Sequence, residues 1–153
     1  MALTIVLGYD GSACAKAALA RCTDILQETR GGKVVVVVAY PLSVGYVPPG
    51  MTTSPMLMGP ELQQHVDMLE QSARAQAEEA AVELRSAGVE AEIEVAAEHA
   101  VDALLDAAGR HQADFIAVGT HGEGAISGAL LGSTSYRLVH RSRVPLLIVP
   151  LRD

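Results

Sequence analysis

An uninterrupted run of valines, Val34 to Val38, continued by Ala39 and Tyr40, leaves few folds open to this chain. β-Branched side chains favour extended backbone, and a strand that is apolar at every position must be covered on both faces. Strands of that kind sit inside parallel sheets sandwiched between helices, so the run predicts a central strand of an α/β domain. Pro41 stops the run well short of the ~20 apolar residues that span a bilayer.

The segments around the run alternate in the way such a sheet requires. Thr4 to Gly8 reads as a short apolar strand, and Ser12 opens an alanine-rich helix that ends at Gly31-Gly32. Residues 41–60, bounded by Pro41 and Pro60, turn to Pro, Gly, Met, Ser and Thr, which cannot hold regular structure and make a long connection. That stretch reads either as a flap over a site or as an idle surface loop. Glu61 to Ala87 predicts a long helix with an acidic, solvated outer face. Val89 to Val95 alternates Val89, Ala91, Ile93 and Val95 with Glu90, Glu92 and Glu94, the pattern of a strand at a sheet edge. A helix over Val101 to His111, a buried strand over Asp114 to Val118, a helix over Ser133 to Ser142 and a last strand over Val144 to Val149 complete the series. The alternation predicts one doubly wound, five-stranded parallel sheet, strand order 3-2-1-4-5, with helices on both faces and right-handed crossovers, over residues 1–153 as a single domain.

In open sheets of this kind ligands bind beyond the carboxyl ends of the strands, where the strand order reverses. Two glycine-bearing turns flank that point: Asp10-Gly11-Ser12 after the first strand, and the loop from Gly119 to Gly132 after the fourth. The loop carries Gly119, Gly122, Gly132 and Ser133 as G-x2-G-x9-G-S, and a helix opening on Ser133 presents unpaired amides and its positive dipole end to an anion. Backbone amides around Gly122 and from Gly132 to Thr134, with the hydroxyls of Ser133 and Ser135, form a candidate phosphate cradle. A helix dipole supplies at most about 2 kcal/mol, whereas micromolar binding needs about 8, so amide bonds, base burial and a bridging Mg²⁺ must supply the rest. Asp10 is placed to accept from ribose hydroxyls or to hold a water of the metal shell, or else to satisfy its own turn, and Ala39 and Tyr40 to offer backbone groups to an adenine edge. A loop that merely turns the chain, with Ser133 as a helix cap, is the alternative.

Other chemistry finds little support. The net charge of −7 and the lack of a basic block argue against nucleic acid or an acidic membrane surface as partner. No G-x4-G-K-[ST] loop is present, G-x-G-x-x-G breaks at its third glycine, and the S-G-G-x-D-S pyrophosphatase loop is missing. Cys14 and Cys22, roughly 12 Å apart along a helix, are too distant for a disulfide and read as core thiols. With no metal-ligand spacing, no protein metal site is expected. His121 lacks a carboxylate or nucleophile tied to it by spacing, Lys16 reads as a surface lysine, and His65, His99, His111 and His140 as ordinary surface residues. The N-terminus shows no export signal, so the expected location is the cytoplasm.

Ile5-Val6-Leu7-Gly8-Tyr9-Asp10-Gly11-Ser12, Asp114 to Gly122, Leu130-Leu131-Gly132-Ser133-Thr134-Ser135 and the closing Val144 to Pro150 together make the chain resemble the universal stress proteins over essentially its whole length. G-x2-G-x9-G-[ST] is the mark of that family's ATP-binding branch. The resemblance implies a fold of the adenine nucleotide alpha hydrolase type, with bound ATP or another adenine nucleotide and Mg²⁺. It places Asp10 at the nucleoside, Ala39 at the adenine, and Val118, Gly119, Gly122, Gly132, Ser133 and Thr134 at the ribose and phosphates. It also implies a homodimer through the last strand, Val144 to Val149, which fits an otherwise exposed apolar edge. The family often has a glycine and a proline after strand three, where this chain has Ala97-Glu98-His99-Ala100, so the turn on that side departs from the pattern.

Three functions follow from these readings. The first is a nucleotide-binding stress or energy-state regulator without catalytic residues. The second is a slow ATP hydrolase or self-phosphorylating protein with Ser133 or Ser135 as acceptor, and the third a dimeric interaction module that binds no nucleotide.

Overall fold

The structure, a computed structural model, describes residues 2–29, 31–42, 59–122 and 131–151. The elements run β1 (Leu3–Gly8), α1 (Ala13–Glu28), β2 (Gly32–Ala39), α2 (Pro60–Ser86), β3 (Glu90–Ala96), α3 (Ala100–Arg110), β4 (Phe115–Gly119), α4 (Ser133–Arg141) and β5 (Leu146–Val149). They form one five-stranded sheet in the order β3-β2-β1-β4-β5, with every pairing parallel. The doubly wound sheet expected from the alternation is the one observed. Most of the expected flap, residues 43–58, lies outside the described residues.

The period of two along each strand sorts side chains into two cores. Ile5, Leu7, Val34, Val36 and Val38 face α1 and α2, packing on Leu19, Cys22, Ala77 and Leu84. Val6, Val35 and Val37 face the other way, onto Val101, Leu104 and Ala107 of α3 and Leu138 of α4. Val34, Val35 and Val36 are fully buried, as the unbroken valine run requires. Cys14 and Cys22 are buried free thiols, and burial pushes the Cys22 thiol up to about 12.

Element ends follow local chemistry. Ser12 caps α1, its Oγ accepting from the Ala15 amide at 3.1 Å. The last strand starts at Leu146, two residues later than hydropathy alone suggests. Ser142 Oγ donates to the Val144 carbonyl and accepts from the Val144 amide, which binds that residue into a turn, and Pro145 has no amide to give to a ladder. β3 occupies one edge, as its glutamates predict. The wet face of that strand is nevertheless organised. Glu92 meets Lys33 at 2.7 Å, and Glu94 meets both Arg110 and His111 at the end of α3. His111 is therefore not an ordinary surface residue: its side chain is 17% exposed and held between two glutamates of the neighbouring strand.

Candidate functional site

The sheet changes direction between β1 and β4, and the chain beyond those two strand ends builds a cleft. After β1, Gly11 takes a left-handed turn with φ +75°, a conformation that favours glycine. A Cβ there would also stand 2.7 Å from the Gln76 side-chain nitrogen, which donates to the Asp10 carbonyl at 2.9 Å. Within the turn Asp10 Oδ1 accepts from the Ser12 amide at 3.0 Å. The turn thus fixes the aspartate from both its backbone and its side chain.

Opposite, β4 ends on Gly119, where a Cβ would lie 2.5 Å from the Cys14 Cβ and 2.7 Å from the Cys14 carbonyl carbon. The first turn of α1 packs this closely only because position 119 has no side chain. Beyond it, a Cβ on Gly122 would meet Asp10 Oδ2 at 2.6 Å, so the backbone of the loop passes directly over that carboxylate. The Gly132 amide donates to the Thr120 carbonyl at 2.7 Å and ties the far end of the loop back to its beginning.

Gly132 is the N-cap of α4, and Ser133 is the first helical residue rather than the cap. No side chain caps this helix, and its first bond runs from the Tyr136 amide to the Gly132 carbonyl. The amides of Ser133, Thr134 and Ser135 precede that bond and have no acceptor within the helix. Ser135 departs from the expectation of a ligand-facing hydroxyl. It is 2% exposed, and its Oγ sits 2.9 Å from the Gly119 carbonyl and 3.2 Å from that of Thr120, to which its proton is given. That hydroxyl fastens α4 to the end of β4 and is not turned toward a ligand.

The cleft has a volume of about 510 Å³ and brings together Asp10, Ala39, Val118, Gly119, Gly122, Gly132, Ser133, Thr134 and Ser135, whereas Tyr40, also expected at an adenine edge, does not line it. Val37, Ala100, Leu104 and Leu131 supply apolar walls that sequence reasoning missed. Nothing in their local sequence marks them, because Ala100 and Leu104 reach the cleft only once α3 packs on the sheet. The Tyr9 amide donates to the Val37 carbonyl toward β1, and the Tyr40 amide to the Ala96 carbonyl toward β3. In a parallel ladder successive residues address opposite neighbours, so Ala39 turns its amide and carbonyl to the β1 side, beyond the end of that strand.

The electrostatics are lopsided. Asp10 is the one carboxylate among the described lining residues, and none of them is Lys or Arg. Tyr9 is buried at the base, and burial, then Glu79, Glu83 and Asp10, push its phenol above the ordinary value, so it stays neutral. His121 Nδ1 lies 3.2 Å from Thr120 Oγ1 at the cleft wall. Among the described residues, no three His, Cys, Asp or Glu side chains gather as a metal site.

These features define a doubly wound α/β protein with a glycine-lined cleft at the switch in strand order. The model of the universal stress protein family matches residues 1–150, and the chain belongs to that family. A universal stress protein of Mycolicibacterium smegmatis is 29% identical over 149 residues, which cover 96% of this chain and 45% of that relative. The chain thus spans less than half the length of this relative. Among solved structures, hypothetical protein MJ0577 superposes with a TM-score of 0.81 at 18% identity, over 100% of this chain and 99% of the other, a likeness of fold. A universal stress protein in complex with cAMP has a TM-score of 0.60 at 26% identity, covering 99% of this chain and 98% of that one.

Proposed function

We propose that the cleft binds an adenine nucleotide, ATP or a close relative, and that nucleotide occupancy lets the protein act as a stress or energy-state regulator. The observation that carries this reading is the cradle itself. Three amides at the start of α4 have no acceptor in the helix and open onto a cavity with an ordered carboxylate on its other wall. Amides and a helix N-terminus bind phosphate, and a carboxylate across from them binds ribose hydroxyls. The backbone of Ala39 offers a donor and an acceptor to the base edge, and Val37 and Leu104 cover its faces. A cAMP complex in a relative of the same fold supports an adenine ligand.

The donor set also fits magnesium as a companion of the ligand. Mg²⁺ typically takes one or two carboxylates, substrate phosphates and water, and Asp10 is such a carboxylate. When bound, the ion would neutralise phosphate charge. Asp10 would hold it directly or through a water, while the amides of Ser133 and Thr134 orient the phosphate oxygens. Val118, Gly119, Gly122 and Gly132 contribute by bringing backbone close, and no lining side chain is assigned a proton-transfer role. β5 forms the sheet edge, and we place a homodimer contact there.

Thermal unfolding of nucleotide-stripped protein tests this reading. ATP with Mg²⁺ at about 100 times Kd is expected to add about 2.7 kcal/mol, or roughly 5–10 °C. An unchanged midpoint for ATP, ADP, AMP and cAMP alike would remove nucleotide from the account and leave a dimeric interaction module.

A further inference from the structure

The main cleft offers a polyphosphate no cation of its own, since none of its described lining residues is Lys or Arg. A smaller cavity of about 200 Å³ adjoins it and shares Ala39, Ala100, Ser133 and Thr134 with it. Arg137 and His99 line this side cavity, and no carboxylate does. Arg137 stands three and four residues after Thr134 and Ser133, on the same face of α4. Side chains on a helix lean toward its N-terminus, so the guanidinium reaches back along the cradle rather than away from it. Among the described residues, Arg21, Arg74, Arg85, Arg110 and Arg141 each meet a carboxylate; Arg137 and Arg143 meet none, and of these two only Arg137 lines a cavity. His99, at the N-cap of α3, makes no side-chain capping bond, and its ring borders the same space.

We infer that the side cavity is a distal phosphate subsite, in which Arg137 selects nucleoside di- and triphosphates over monophosphates. The inference rests on the nucleotide reading given above. The phosphate nearest the ribose is held by the amides of the cradle, which carry only partial charge. Phosphates farther out bring more negative charge to a protein whose net charge is already −7. Magnesium would neutralise part of that charge, and a planar guanidinium adds a fixed one that meets phosphate oxygens two at a time.

Titration calorimetry of the full chain with ATP and with AMP, in magnesium, tests this. Wild type is expected to prefer ATP. Arg137→Ala should weaken ATP by about 10- to 150-fold, the usual worth of a hydrogen bond to a charged group, and change AMP by less than about twofold. Arg137→Lys should restore only part of the ATP affinity, since an ammonium keeps the charge but not the two-point contact, and Arg143→Ala, beyond the other end of α4, should leave both ligands unchanged. Arg137 is exposed, so its variants should unfold at the wild-type temperature. Unchanged ATP affinity in Arg137→Ala, or an equal loss for ATP and AMP, overturns the subsite while the cradle stands. Failure of wild type to bind either nucleotide overturns the cradle reading and the subsite together.

Discussion

The cleft and the β3 rim are built from opposite materials. At the rim, charged side chains do the work: Glu92 with Lys33, and Glu94 with Arg110 and His111, span from strand to strand and from strand to helix. At the cleft it is the lack of side chains that matters, since Gly119 admits Cys14, Gly122 admits the Asp10 carboxylate, and the start of α4 is left without a side-chain cap. A rim made of solvated ion pairs tolerates the loss of a member, because such pairs contribute about 1 kcal/mol or less. A cleft made of close backbone approach does not, because an added methyl must displace the backbone or the carboxylate it meets.

The sharpest way to break the comparison is Gly119→Ala. Its new Cβ would fall 2.5 to 2.8 Å from three atoms of Cys14, two of them backbone, so α1 or β4 must shift. A loss of about 3 kcal/mol is expected, at the upper end for overpacking, seen as a drop of roughly 6–12 °C in the unfolding midpoint. Gly122→Ala meets only the end of the Asp10 side chain, which can move away at the cost of its bond to the Ser12 amide. Here nucleotide affinity should fall about tenfold, equal to about 1.4 kcal/mol, with the unfolding midpoint nearly unchanged. Calorimetry and thermal melts on the two variants would separate a glycine that holds the fold from one that shapes the site.

Changes at the rim should be smaller and silent in binding. Glu94→Gln is expected to cost about 1 kcal/mol in urea unfolding and to leave nucleotide affinity unchanged, because partly exposed pairs are screened by solvent. Burial alone would raise the Glu94 carboxyl, but hydrogen bonds from His111 and Arg110 outweigh it and leave it below 4.5; the bond from Lys33 lowers Glu92 likewise. A carboxylate depressed in the folded state contributes stability that is present above its unfolded value and is lost as pH falls through its folded value. Wild type should therefore lose stability below about pH 4.5 more steeply than Glu94→Gln, whose side chain does not titrate. Parallel acid curves for the two proteins would contradict the rim network.

How far each region could be read in the sequence follows from the same contrast. The valine run, the alanine-rich helices and the alternating glutamates named every element of the sheet to within about two residues, because two-sided burial and edge exposure are local hydropathy patterns. The lining of the cleft was legible through Gly119, Gly122, Gly132 and Ser133, since backbone approach leaves glycines at fixed spacing. Gln76 left no such trace: it braces Asp10 from 66 residues away in sequence. Ser135 could be placed at the cleft but not aimed, since the two carbonyls that take its proton belong to β4 and the residue after it. His111 looked like solvent-facing helix because its partners, Glu92 and Glu94, become neighbours only when α3 folds back on the sheet edge.

An amide ¹H–¹⁵N spectrum recorded while ATP is added to the stripped protein tests the central claim most directly. The account predicts saturable shifts for Gly122, Gly132, Ser133 and Thr134, with the amides of Glu94 and His111 unmoved. Saturable shifts at the rim with a still cradle, or no saturable shift anywhere, would contradict it.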